Sequence, residues 1–350
     1  MNKCCTECFN DKQLKIQIVA NTDVGRCMYC KSDDRPLIEA IKLADKFEFL
    51  ILATEKDLGG DPLHDLLNQA FAIFSPLVKN PGKLLSDILG HEVDDTKYVL
   101  KFNTERYKKG WDELCEELKH NNRFFPKHHV YQTLFSINNE ERISPLFSLL
   151  EQLEFKVKSG DEFFRARISD NPLSKHDMGP PPSHLATSGR ANPNGISYVY
   201  LADNVDTCIS EVRPYNGCEI HVSQFTSSND KTVIDLRTPR KTSSIIPFPE
   251  SQYGEVLSII DLLESFEKAL SVPIKPHLSE LEYIPTQFLC EYIKSLGSYD
   301  GIIFKSSFGK GDNYVFFDKK DFVVSDPTVH SLNGITFEHT RLLAKQLAFA

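Results

Sequence analysis

The chain has no run of the ~18 apolar residues that a membrane-spanning helix needs. Its first residues, MNKCCTECFNDKQ, contain no apolar stretch of the secretory-leader kind, so the expected compartment is the cytoplasm. Positive charge is not in surplus. Forty Lys and Arg stand against 49 Asp and Glu, a net charge of −9. That balance argues against broad binding to a phosphate backbone, and solubility alone accounts for it. A phosphate loop is also missing: GKGD at 309–312 lacks the spacing and the Lys-Ser/Thr pair, and reads as a hairpin turn before NYVFF.

What is present suits a soluble globular protein. At 350 residues the chain has room for two domains and a small third unit, with 41% hydrophobic and 25% charged residues. Nine cysteines are unevenly placed. Cys115, Cys208, Cys218 and Cys290 are scattered, as reduced, buried thiols would be. Cys5-x2-Cys8, eighteen intervening residues and Cys27-x2-Cys30 have zinc-ribbon spacing. Each CxxC can point two thiolates at one tetrahedral ion. Four thiolates leave no open position, so the metal would be structural. The intervening LKIQIVAN alternates like a ribbon strand, and Cys4 is spare. The ribbon is expected over residues 1–34.

Residues 35–158 read as a mainly helical domain. RPLIEAIKLADKFEFLI, DPLHDLLNQAFAIFSPLV, NPGKLLSDIL, GWDELCEELKHN and SPLFSLLEQLEF carry helical spacing, entry signals and Gly or Pro punctuation.

Residues 159–350 read as alternating strands and helices, closing with a C-terminal helix. EFFRARISD should be a strand with Arg165 and Arg167 on one face. NPLSKHDMGPPPSHLATSGR reads as a loop over a cleft, ending in Arg190. ISYVYLA alternates and is aromatic and β-branched, as a strand should be, with Ile196, Tyr198 and Tyr200 on one face. Asp203 reads as a helix N-cap. On the helix that follows, Val205, Ile209 and Val212 form an apolar stripe with Glu211 at its edge. CEIHVSQF and KTVIDLR are further strands. Cys218 and His221, three apart, fall on opposite strand faces and make no metal pair. A helix from Tyr283 to Gly297 precedes the strand of YDGIIFKSS. Forked arginines, a flat tyrosine and a carboxylate together suit a phosphorylated, ribose-containing ligand.

The ordered blocks FRAR, GRANPNGISYVYLA, EVRP, YDGIIFKSS and NYVFF resemble the RES domain over roughly residues 159–330. The usual family form has an aromatic after the arginine of GR, where this chain has Ala191. The resemblance implies an α+β, ADP-ribosyltransferase-like split-sheet fold and an enzyme that degrades NAD, or transfers ADP-ribose from it, as a toxin paired with an Xre-type antitoxin. Residue by residue it puts Arg165 and Arg190 on the NAD diphosphate, Tyr200 (alternatively Tyr198) at the nicotinamide riboside, and Glu211 at the ribosyl cation. Ser306, or Ser307 one register away, orients the glutamate. Arg167 is left instead for a structural ion pair. The acceptor is left open among water, phosphate and a protein side chain, and so is homo-oligomerisation.

CTECFND, CMYC and the RFF of Arg123–Phe125 also resemble the cysteine knuckles and HEPN-like segment fused ahead of some RES domains. HEPN ribonucleases use a nearby Arg and His, and Arg123 with His128 or His129 has that gap. Pro126 between them would disturb a shared helical turn. A HEPN-type ribonuclease or RNA-binding protein, or a pure interaction protein, stands as the alternative class.

Overall fold

The computed structural model describes residues 2–135, 145–274 and 279–335. The expected C-terminal helix falls outside these residues. Among the described residues no helix is long and apolar enough to cross a membrane.

A nine-stranded sheet organises the second half. Its strands lie in the order Phe322–Val324, Glu219–Ser227, Glu162–Ile168, Val199–Ala202, Asp312–Phe316, Gly301–Lys305, Lys231–Asp235 and Glu154–Val157. Thr328–Ser331 also pairs with Glu219–Ser227. Pairing is antiparallel except between Lys231–Asp235 and Gly301–Lys305. A parallel pair needs a crossover. Here it is helical, built on Tyr253–Ser271 and Ile284–Ser295. Gly301 is required in its strand, since a Cβ there would meet Val315 O at 2.2 Å.

The sheet is pinched at its middle. Glu162–Ile168 pairs with Glu219–Ser227 along its whole length, yet meets Val199–Ala202 through the single pair Phe164↔Ala202. Strands that splay from one pair leave a crevice between them, and the cleft described below opens there.

Tyr253–Ser271 is the central helix. Ten of its residues are buried, among them Val256, Ile260, Leu263 and Phe266. A helix apolar on most sides must be covered on most sides. The sheet covers one flank, and Glu105–His120 covers another through Trp111, whose ring meets Phe266 edge-on at 4.3 Å. The core therefore runs continuously from the cysteine region into the sheet.

The first half departs from the expected elements in three places. LKIQIVAN is not a strand: Lys12–Val19 is an α-helix capped by Asp11, whose side chain accepts from Gln13 N and Leu14 N. Leu14 and Ile18 are buried, while Ile16 and Val19 are exposed. Apolar residues at i and i+4 satisfy both periods, and the cap decides for the helix. Arg35–Glu39 does not open a helix. It is the middle strand of a three-stranded sheet with Lys3–Cys5 and Val24–Gly25, so the cysteine unit reaches Glu39, not residue 34. Thr54–Pro62 and Lys97–Leu100 form a further antiparallel pair inside the expected helical domain. The large sheet also begins at Glu154, upstream of the boundary expected at 159.

Candidate functional site

A cleft of about 520 Å³ opens at the pinch in the sheet. Arg165, Arg190, Tyr200, Glu211 and Asn313 all line it. The volume is that of a small-molecule site.

Asn204, not Asp203, caps the helix that delivers Glu211. Its side chain accepts from Thr207 N at 2.8 Å and starts Val205–Glu211. Asp203 instead accepts from Asp312 N at 3.1 Å and from Asn204 Nδ2 at 2.7 Å, tying the helix entry to the neighbouring strand. Glu211 is the last residue of the helix. Its Oε1 accepts from Ser306 Oγ at 2.5 Å and from Asn313 Nδ2 at 2.7 Å. Ser306 Oγ itself accepts from Phe308 N at 3.1 Å and Gly309 N at 2.8 Å. With those two donors aimed at its lone pairs, the hydroxyl proton goes to Glu211.

Ser307 has a different place. Its Oγ donates to Ser271 O and accepts from Arg190 Nη1 at 2.7 Å. Arg190 Nη1 also donates to Leu270 O. The two serines therefore divide the work, one on the carboxylate and one on the arginine.

Arg165 enters from Glu162–Ile168. Its Nη1 is buried and has no hydrogen-bond partner among the described residues. Burial, with Arg167 adding to it, pulls its pKa down to about 10, so it remains a cation at neutral pH. A buried cation with an open donor is costly until an anion completes it.

Tyr200 OH donates to Asn192 Oδ1 at 2.7 Å and accepts from Ala191 N at 3.0 Å. Burial pushes its pKa up, so it stays a neutral phenol. With the hydroxyl engaged by the loop, the ring is what Tyr200 offers a ligand. Gly189 is needed beside it, because a Cβ there would meet Asn192 Oδ1 at 2.6 Å and Tyr200 OH at 2.7 Å. Tyr198 points elsewhere and donates to Glu291. Arg167 forms no ion pair among the described residues and donates Nη2 to Gly179 O at 2.7 Å, so the structural pairing left open for it is not made. Arg213, two residues past Glu211, holds a positive φ of 49° and lays its guanidinium over the Phe308 ring at 4.6 Å. Its strained backbone adjoins the cleft, as such positions often do.

Asn313 is the functional side chain that sequence reasoning missed. It stood in the NYVFF block only as a pattern residue, and nothing local marks it. Strand pairing of Asn313 with Ala202 places it against the helix that carries Glu211.

In the first half, Arg123 and His128 take different partners. Arg123 is exposed and donates to Lys119 O at 3.4 Å, whereas His128 Nε2 lies 3.1 Å from Glu113 Oε2. The four cysteines do come together. The Sγ atoms of Cys5, Cys8, Cys27 and Cys30 lie within 4.8 Å of one another, with Cys5–Cys30 at 3.4 Å and Cys8–Cys27 at 3.3 Å. A tetrahedral ion with ~2.3 Å bonds to sulfur separates its ligands by about 3.8 Å, so the cluster could hold a metal. Hydrogen bonds among the thiols push the Cys27 pKa down and those of Cys5 and Cys8 up. Cys4 stays outside the cluster, its Sγ directed at Ile38 O.

The RES domain family model matches residues 162–336, half of the chain. The chain belongs to the RES domain family. The RES match takes in Arg165, Arg190, Tyr200, Glu211, Ser306 and Asn313, and leaves the cysteine cluster and the first-half helices outside. No curated relative matches the chain. Among solved structures, the M. tuberculosis MbcT–MbcA toxin–antitoxin complex aligns at 14% identity and a TM-score of 0.30, covering 54% of this chain and 93% of that one.

Proposed function

We propose that the RES cleft binds NAD and breaks its nicotinamide–ribose bond. The observation that carries this reading is Arg165. A buried guanidinium with an open donor shares one cleft with a carboxylate held from behind by two donors. A ligand with a diphosphate at one point and a forming cation at another fits that pair. The pinched sheet is consistent with an ADP-ribosyltransferase-like split sheet.

In the reaction the C–N bond breaks and its electron pair passes to the nicotinamide nitrogen, which leaves neutral. Positive charge develops on the ribosyl carbon, as in glycoside hydrolysis. Glu211 faces that charge through Oε2, because Oε1 is occupied by Ser306 and Asn313. Arg165 and Arg190 hold the diphosphate, and the Tyr200 ring fixes the nicotinamide riboside. The acceptor then donates a lone pair to the cation and loses a proton. Water yields ADP-ribose, phosphate a phosphorylated ADP-ribose, and a side chain a modified protein.

In the cell this activity would make the protein a toxin that depletes cytoplasmic NAD, restrained by an antitoxin of the Xre type. The cysteine cluster would hold one structural zinc ion remote from the chemistry. Purified protein mixed with NAD should release nicotinamide, read by chromatography, and the Glu211→Gln protein should not. No release in water, phosphate or cell lysate refutes the proposal.

A further inference from the structure

Arg167 is a second, half-buried guanidinium on the strand Glu162–Ile168, and the cleft chemistry leaves it without a task. Two residues from Arg165, it stands on the same face. Its Nε is buried without a partner among the described residues. Asp177 acts on it through space, but that carboxylate is exposed and accepts instead from Ser174 N at 2.9 Å and Ser174 Oγ at 2.7 Å.

Arg167 lines a second chamber of about 270 Å³. Arg165, Ser188 and Tyr200 line both cavities, so chamber and cleft adjoin. Glu211 lines only the cleft, and Arg167 lines only the chamber. Arg165 thus stands between the carboxylate and the second open cation. If the proposed function holds, a dinucleotide with its diphosphate at Arg165 and one ribose at Glu211 has its adenosine end left to place, and the chamber adjoins that diphosphate.

We propose that the chamber takes the adenosine end and that Arg167 binds a phosphate on the 2′ position of its ribose, so the site prefers NADP to NAD. A 2′-hydroxyl would leave the guanidinium charge uncompensated, whereas a phosphate dianion matches both its charge and its forked donors.

Binding is measured first, without catalysis, by calorimetric titration of the whole protein with 2′,5′-ADP and with 5′-AMP, which differ only in the 2′-phosphate. The 2′-phosphorylated compound should bind about tenfold tighter, the scale of one charge-assisted hydrogen-bonded contact. Arg167→Ala should erase the difference. Arg167→Lys, which keeps a point charge beside the loop, should retain part of it and so separates lost charge from a collapsed chamber. In nicotinamide release the same preference should appear as a lower KM for NADP. Equal affinities in the wild-type protein, or a difference that survives Arg167→Ala, overturns the proposal. If 2′,5′-ADP is preferred but neither dinucleotide is cleaved, the cleavage reading fails and this one stands.

Discussion

At Glu211 both hydrogen bonds fall on one oxygen. Ser306 and Asn313 anchor Oε1, and Oε2 has no bonded partner among the described residues. A carboxylate fixed in this way presents its charge at a set point without reorganising during the reaction. Glu211→Gln keeps the shape and removes the charge, so turnover should fall roughly 100-fold while NAD affinity changes little, because the cation exists only in the transition state. Near-normal turnover would show that another carboxylate does this work. Asn313→Ala removes one of the two anchors. The expected loss is about tenfold in kcat with KM nearly unchanged, the scale of one hydrogen bond to a charged group. A matching rise in KM would make Asn313 a substrate contact instead. Arg165→Ala should do the opposite of Glu211→Gln and raise the NAD dissociation constant most.

The helix Val205–Glu211 is seven residues long, too short to persist on its own, so its cap and its packing hold Glu211 in place. Asn204→Ala should lower stability by about 1 kcal/mol in denaturant unfolding, whereas a mere turn residue would change nothing. This helix also shows what local reasoning can and cannot reach. The helix after ISYVYLA was legible from apolar spacing, and Glu211 on it from the motif that surrounds it. The cap was misplaced by one residue, because Asp203 and Asn204 are both good caps and only the neighbouring strand, through Asp312 N, claims Asp203. Asn313 was legible only as a letter of the NYVFF block and not as a partner of Glu211, since that contact depends on a strand pairing with residues more than a hundred positions away. At the other end of the chain, the CxxC spacing brought four thiols together although the segment between them is a helix, not a strand. Two knuckles need only meet, and several connections allow that. Metal analysis should find one zinc per chain and none in a Cys5→Ser, Cys8→Ser double variant, where loss of about 10 kcal/mol of metal binding would loosen the terminal sheet. Zinc absent from carefully reduced protein would refute the site.

Across the whole molecule, the two halves share a core instead of abutting. Phe266, Phe288 and Tyr292 of the second half pack on Trp111, Tyr131 and Phe135 of the first. Arg240 Nη1 donates to Ala70 O at 2.6 Å, Ser244 N to Gln152 Oε1 at 2.6 Å, and Tyr292 OH to Leu134 O at 3.2 Å. The edge strand Glu154–Val157 also lies before the family match begins at residue 162. Cutting the chain at 159 would therefore remove a strand and strip the central helix of one cover. Exposing each large apolar side chain costs about 1.5–3 kcal/mol, and a domain has only about 5–15 kcal/mol in all. Three aromatics losing their partners can exhaust that margin. A fragment of residues 159–350 should therefore aggregate or bind a hydrophobic dye and melt without a cooperative transition, whereas the full chain melts sharply. The cleft residues all lie within the fragment, so its loss of NAD cleavage would come from lost support, not lost chemistry. Adding back residues 1–158 in trans should then restore some activity. A monomeric fragment with a sharp transition and full turnover would show that the first half only decorates a self-sufficient domain.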